Sequence, residues 1–495
     1  DVTDLQYFQE ANNEGIFKDF IKSNTDFIDA PAGYKINASF KKKLSEGILK
    51  YYGRYQTNKL KLNFGDPDKF YLENDNLYAS LNYKGSIGKS WVAQVGVSYS
   101  ENEDIGNIYL EEGLQPVVDE GILDLPKLDI SLYDNLFQIR TAFTKNIFSS
   151  SLIKFGVHIF DRNSKFNQIQ TDYEVFFNEF DRNLNELLSA GFMEMDFKLS
   201  SKVALRLGLR AESSKFLNKS NYSPRFSIAY KVGSFDQVSY AYGTFYQTPE
   251  IGLDQWYQRT QPTPNYVLDS DGYLSSAIDL NFEKATHHIF NYQWVRGKRV
   301  FRMELYDKQY EDLIKKDTLD ILLSNDGYGY AQGLDLFWRD NGYSFKNVDY
   351  WISYSYLDTK RYYRDYEIET RPSFAAEHVL SLIYKQSFQI KDTGLQLSLG
   401  LTGTSGRPWY DNRENSSTYG ENVAKPYQAF NVGGSILPKV KEDNFMVIFF
   451  NVSNPFGYNN SFGYRLNDIT GDYEEIKPTS LRSFFIGCFM FFSIG

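Results

Sequence analysis

Reactive side chains are scarce in this chain: four histidines and one cysteine serve 495 residues. Ile153, Phe155, Val157 and Ile159 would share one face of an extended segment, which sets His158 on the opposite, polar face. His287 and His288 are adjacent, so on a strand they point opposite ways and cannot hold one metal ion together. One of that pair belongs at an aromatic rim, and His378 opens a further extended run. A nucleophile needs a base and an orienting group within hydrogen-bond reach. Serines are plentiful, yet none falls in a motif that ties it to one of these histidines. The single Cys488 rules out an internal disulfide and a cysteine-held metal cluster. The expectation is a non-enzyme with no cofactor and no metal.

Binding chemistry is better represented. Lys50, Arg54, Lys154, Arg206, Arg210, Glu212, Arg225, Arg302, Glu304 and Asp335 fall on the polar faces of extended segments. Arg206, Arg210 and Arg225 sit on neighbouring segments and can grip a carboxylate. Aromatic and charged residues also cluster between segments. Asp254, Trp256, Tyr257, Arg259 and Tyr266 form one such group, and Arg361, Tyr362, Tyr363, Arg364 and Tyr366 form a second. Trp409 and Tyr410 follow a Gly-Arg-Pro turn. Such residues suit flat sugars, siderophores or a protein lid, and serve equally well for packing loop on loop. The acidic stretch Glu101–Asp129 can attract cations, though keeping a rim soluble is the simpler role.

The elements that position these residues are strands. From Val203 to Glu212, Val203, Leu205, Leu207, Leu209 and Ala211 face one way, and Ala204, Arg206, Gly208, Arg210 and Glu212 the other. That ribbon, greasy on one side and wet on the other, recurs along nearly the whole chain. Mean hydropathy is −0.47 although 17% of residues are aromatic, a pairing natural to a barrel with a polar lumen and aromatic girdles. No stretch approaches the ~18 apolar residues of a transmembrane helix. The longest, Phe484 to Phe492, suits a tilted strand. A net charge of −10 and a pI near 5.2 argue against nucleic acid.

About nineteen strand candidates run from Tyr34 onward. Tight turns such as Ser200–Lys202, Gly233–Asp236 and Arg296–Lys298 alternate with long connections. The long ones are Asn58–Asn74, Glu101–Asp129, Gln247–Asn281, Asp358–Ala375, Ser405–Lys425 and Asn454–Thr479. Short periplasmic turns and long outer loops are the habit of outer-membrane barrels. The expected fold is therefore all-β: a transmembrane antiparallel β-barrel over residues 34–495, with 1–33 as an extracellular lead-in. An odd strand count does not close such a barrel, so at least one upstream strand is expected, with Gly15–Ile21 a weak candidate. Asp1 follows no start methionine or signal-like stretch, which reads as a mature or trimmed chain.

The blocks Asn221–Tyr230, Tyr242–Glu250, Leu280–Trp294 and Tyr330–Trp338 together resemble the TonB-dependent receptor family in the form common among Bacteroidetes. Asn221-Tyr-Ser-Pro-Arg-Phe-Ser-Ile-Ala-Tyr230 is similar to a mid-barrel strand with a Ser-Pro-Arg signature. Tyr242-Gly-Thr-Phe-Tyr-Gln-Thr-Pro-Glu250 then runs out into a long loop. Leu280-Asn-Phe-Glu-Lys-Ala-Thr-His-His-Ile-Phe-Asn-Tyr-Gln-Trp294 carries a Glu-Lys entrance, and Tyr330-Ala-Gln-Gly-Leu-Asp-Leu-Phe-Trp338 a small-Gly-acidic ribbon. The resemblance implies a 22-stranded barrel and an N-terminal plug that engages an energising partner. The plug has no counterpart in this chain, and Phe492-Ser-Ile-Gly495 lacks the usual terminal aromatic.

On that resemblance Arg206, Arg210, Arg225, Arg302, Glu304 and Asp335 face a plug, and the loop clusters capture a nutrient for TonB-energised import. The implied partners are outer-membrane lipid, a plug domain or TonB-type protein, and a surface lipoprotein or other outer-membrane subunit. A non-transporting structural subunit and a passive pore are the alternatives.

Overall fold

Side chains that alternate between lipid and water make each segment extended, and a strand crossing a membrane must give its backbone groups to neighbours. Here, among the described residues, one sheet of twenty-two strands results. The computed structural model describes residues 26–27, 31–63, 69–109, 128–171, 177–249, 266–268, 273–277, 279–316, 323–438, 445–466, 473–478 and 481–491, apart from isolated positions.

Nineteen of the strands form the wall, each antiparallel to the next. They are β1 (Ala32–Leu44), β2 (Gly47–Asn63), β3 (Lys69–Ile87), β4 (Trp91–Tyr109), β5 (Leu128–Ile147), β6 (Ser151–Thr171), β7 (Phe177–Lys198), β8 (Val203–Ser214), β9 (Lys219–Lys231) and β10 (Asp236–Gln247). The second half comprises β11 (Glu283–Arg296), β12 (Arg299–Lys316), β13 (Leu323–Asn341), β14 (Val348–Tyr362), β15 (His378–Ile390), β16 (Thr393–Thr404), β17 (Tyr427–Leu437), β18 (Phe445–Ser453) and β19 (Ser483–Phe491). Among the described residues β1 pairs only along β2, and β19 only along β18.

Register carries the alternation from strand to strand. Leu205, Ile228, Tyr240, Phe290, Leu305, Leu334 and Tyr356 are successive partners in one row of the outward face. Neighbouring outward leucines stay open, with Leu207 at 41% and Leu209 at 49% exposure. A water-soluble monomer rarely shows so continuous an apolar band; hydrocarbon is its natural solvent. Aromatic residues ring the band toward the short turns, where Trp294 stacks on Trp338 at 6.1 Å and the Tyr292 hydroxyl donates to Asp236 at 2.7 Å. The short turns are tight. Gly297 has φ +59 at the first central position of a two-residue hairpin, where glycine is the favoured residue.

Strands β2 to β7 are longer than expected, up to the 22 residues of β7, whereas a tilted crossing needs ~9–11. Much of Asn58–Asn74 and the flanks of Glu101–Asp129, read from sequence as loop, is therefore wall; β3, β5, β7 and β13 begin at Lys69, Leu128, Phe177 and Leu323. The reason is that an outward side chain above the lipid need not be apolar. Asp75, Glu101 and Glu103 face outward there, and the ladder continues while the alternation disappears.

The inward face turns apolar at the same height. Leu62, Phe70, Ile130, Phe166, Leu184, Phe216, Leu280, Phe282, Ile314 and Leu323 belong to one buried cluster. Burying a phenylalanine such as Phe70 or Phe282 is worth roughly 1.5–3 kcal/mol. Because β2 and β13 are far apart in ladder order yet share this cluster, the sheet must curl around it. The outer connections also carry structure. Tyr266–Leu268 pairs with Tyr273–Ala277, which adds in parallel to β7. Pro408–Asp411 pairs with Gly420–Val423, and Gly463–Leu466 with Tyr473–Ile476.

Candidate functional site

The inward wall and the outer hairpins concentrate the polar chemistry. On the wall, His158 is only 9% exposed and lies between two guanidinium groups. Arg140 Nε is 3.0 Å from its Nε2, and Arg210 Nη1 is 3.1 Å from its Nδ1. A neutral imidazole has one free lone pair, so it accepts from one guanidinium at a time. Arg210 also pairs with Glu212 at 2.7 Å, and Arg206 holds Asp196 at 2.8 Å. Arg225 stands opposite Gly208, between those two arginines in register, but its guanidinium lies 4.8 Å over the Phe245 ring. The three arginines therefore do not converge on one carboxylate: two have acids of their own, and the third is taken by an aromatic face.

Farther along the sheet the wall changes sign. Glu304 is the direct cross-strand partner of Asp335, with Arg302 one inward position below Glu304. Like charges so placed repel unless a third group intervenes; Asn291 donates to Glu304 at 3.4 Å. His287 faces inward, 4.7 Å from Phe245, while His288 faces outward and meets the Tyr240 hydroxyl at 2.8 Å. His288 is thus the rim histidine, and His378 sits beside Tyr354 on the same outer surface. No group of three or more His, Cys, Asp or Glu among the described residues is arranged to hold a metal ion.

Outside the membrane, the two hairpins after β16 and β18 pack together through aromatic rings. Trp409 has its ring centroid 4.8 Å from that of Tyr464 and 4.7 Å from that of Tyr473. The Tyr473 hydroxyl donates to the Tyr410 carbonyl at 2.7 Å. Asp411 is the polar centre. At 1% exposure it accepts from Arg413 Nε at 2.9 Å, Arg413 Nη2 at 2.8 Å and the Thr418 hydroxyl at 2.6 Å. The Arg413 guanidinium holds the Asp411 carboxyl well below the usual carboxylate range, outweighing burial.

Beside it, Glu421 accepts from the Tyr410 hydroxyl and from Arg371. Burial pushes the Glu421 carboxyl up, but those two donors more than offset it and the net shift is downward. Burial, followed by the bond to Glu421, pushes the Tyr410 hydroxyl up.

Two of the three sequence-derived loop clusters meet in this assembly. Tyr366 lies 5.4 Å from Tyr410 and 5.7 Å from Tyr363. Arg361 stacks over Tyr310 at 4.4 Å, and Tyr362 receives Lys315 at 4.0 Å. Arg361 and Tyr362 prove to be the last residues of β14, paired with Gly329 and Tyr328, rather than a loop. Arg364 turns back, its amide donating to the Ile314 carbonyl at 2.6 Å. Asp254, Trp256, Tyr257 and Arg259 lie outside the described residues, as does the Tyr266 side chain. Sequence reasoning missed Asp411, Arg413, Glu421, Arg371, Tyr464 and Tyr473. A usable signal existed for the last two, because they flank the turn-prone Asn467-Asp-Ile-Thr-Gly-Asp472.

Residues 9–455 match the model of the TonB dependent receptor-like, beta-barrel family. No curated protein matches the chain. Among solved structures, the outer membrane transporter YddB from Escherichia coli superposes with a TM-score of 0.69 at 13% identity, covering 93% of this chain and 69% of that one. The ferric yersiniabactin uptake receptor FyuA from Yersinia pestis gives 0.68 at 11% identity, covering 93% and 71%. The ferric-catecholate import receptor Fiu from Escherichia coli K12 gives 0.67 at 10% identity, covering 96% and 76%. At such identities the likeness is one of fold.

Proposed function

Because the chain belongs to the TonB-dependent receptor β-barrel family, a family of non-enzymatic outer-membrane transporters, we propose that it captures a nutrient at its outer hairpins and passes it inward under energy from a TonB-type partner. The observation that carries this reading is the assembly of Trp409, Tyr464, Tyr473, Tyr410, Tyr366 and Arg361 above the wall. A scaffold subunit has no need of rigid aromatic and arginine surface over a lumen, whereas ligand capture uses such residues. The candidate contact residues are Arg361, Tyr362, Tyr363, Arg364, Trp409 and Tyr410, together with the sequence-derived candidates Asp254, Trp256, Tyr257, Arg259 and Tyr266.

The wall charges support a filled lumen. A plug with acids toward Arg140, His158 and Arg225, and with a cation toward Glu304 and Asp335, would complete groups that the wall leaves poorly matched. The Ser-Pro-Arg and Glu-Lys blocks support a Bacteroidetes-type member. A surface lipoprotein over the hairpins is compatible with their aromatic faces.

The deciding experiment compares depletion of nutrients from defined medium by cells with and without the full-length protein, each with and without the TonB-type partner. At least one nutrient class should disappear only when both are present. Depletion that persists without the partner, with conductance steps in planar bilayers, would mean a passive pore. No difference in any arm would mean a structural subunit.

A further inference from the structure

The chain carries a net charge of −10, yet its periplasmic end is basic. Lys89, Lys145, Lys202, Lys231, Lys298 and Lys346 stand in or beside six short turns, those that follow β3, β5, β7, β9, β11 and β13. The acids flanking these turns are already engaged. Asp236 accepts from the Tyr292 hydroxyl at 2.7 Å, and Asp349 pairs inward with Arg339 at 2.7 Å. Asp340 accepts from the Tyr343 amide at 2.8 Å, the Ser344 amide at 3.2 Å and the Ser344 hydroxyl at 2.6 Å.

Charge is densest at Arg296-Gly-Lys-Arg299, the turn from β11 to β12. Its backbone is stitched to the turns on both sides: the Val295 amide donates to the Phe235 carbonyl at 2.9 Å, and the Asn341 amide to the Lys298 carbonyl at 3.1 Å. Arg296 and Arg299 are direct cross-strand partners, on the same outward face as the Trp294–Phe301 pair. That sets them roughly 5 Å beyond the aromatic girdle on a strand tilted near 40°. Rings hold both guanidiniums in place. Arg296 lies 5.2 Å over Phe235, and Arg299 lies 3.8 Å over Tyr343 and 5.3 Å over Trp294. Like charges so placed repel unless a third group lies between them. The protein supplies none: among the described residues no acid forms an ion pair with Arg296, Lys298 or Arg299. Asp340 stands opposite Arg299 in register, but its oxygens are spent on its own turn, and the enclosed Arg299 Nε has no hydrogen-bond partner.

We propose that this turn is a site for an anionic phospholipid of the periplasmic leaflet, with the lipid phosphate between Arg296 and Arg299 and Lys298 beside it. Guanidinium groups suit a phosphodiester because they can donate to two of its oxygens at once. An anionic headgroup brings no ammonium of its own, so it leaves the three cations better compensated than a zwitterionic one does. The rings decide between a lipid and a soluble phosphate. Phe235, Tyr343 and Phe345 stay exposed on the three stitched turns, at the height where a lipid's glycerol and upper acyl chains would cover them. This inference rests on the short turns facing the periplasm and is independent of what the barrel imports.

The test uses the full-length protein in detergent micelles doped equally with phosphatidylglycerol and phosphatidylethanolamine, with bound lipid counted by native mass spectrometry. Wild type should retain phosphatidylglycerol about tenfold over phosphatidylethanolamine, as one or two cations worth about fivefold each would give. Arg296→Gln with Arg299→Gln should bring that preference to about twofold or less. Lys298→Gln, at the turn tip, should lower it in part and serves if the arginine pair folds poorly. Lys219→Gln removes the same charge from the outer end of β9 and should leave the preference intact. Soluble glycerol phosphate at millimolar concentration should not displace the bound lipid. Heat-modifiable gel mobility confirms that each variant is folded. Equal retention of the two lipids by wild type, an unchanged preference in the Arg296, Arg299 and Lys298 variants, or an equal loss in Lys219→Gln would each overturn the proposal. So would displacement by glycerol phosphate, which would make this a site for free phosphate.

Discussion

Asp411 shows what a single residue does in the outer assembly. A buried carboxylate is costly unless donors surround it, and Arg413 and Thr418 supply them. Its pKa is lowered in the folded protein, so the stabilisation is complete above the unfolded value near 4 and is lost as pH falls through the depressed folded value. Asp411→Asn should remove that acid transition and expose the hairpin at neutral pH. Tryptic cleavage after Arg413 should then rise about tenfold, the effect of losing a charge-assisted pair. Unchanged cleavage would mean that Trp409 stacking alone holds the hairpin. The contacts of this assembly were not legible beforehand. Trp409 and Tyr410 stood out by residue type, but their partners Tyr464 and Tyr473 come from a hairpin some sixty positions on, and no local pattern ties the two together.

The strand is the scale at which sequence spoke most clearly, because the period of two is imposed by lipid on one side and polar groups on the other. Leu207 and Arg206 are neighbours with opposite surroundings. Leu207→Arg puts a charge on the lipid face and should cost ~2–4 kcal/mol near the midplane. Arg206→Leu, which breaks only a partly exposed pair with Asp196, should cost about 1 kcal/mol or less. Urea titration of the folded protein in lipid vesicles checks the contrast; equal losses would refute the assigned faces. Where the solvent changes, the signal fades. Asp75, Glu101 and Glu103 lie on continuous ladders, yet they read as loop because outward residues there meet water.

For the whole molecule, Cys488 serves as a reporter. It is exposed and pairs in register with Ile448, which pairs with Ile436 and then Leu395, all on the outward face. In intact outer membranes it should resist a charged maleimide and react with a lipid-soluble one; equal labelling by both would place it in water. Among the described residues the nineteen antiparallel wall strands leave β1 and β19 running the same way. The chain by itself determined the lipid-facing part of the wall: short-turn positions and facing follow from a local two-residue period that each segment carries alone, whereas the outer onsets of β3, β5, β7 and β13 do not. Only the tertiary structure decided which charges meet, that Arg206, Arg210 and Arg225 part company, and that distant hairpins share one aromatic assembly. Such contacts depend on register and curvature, which are properties of many strands together and of no segment by itself.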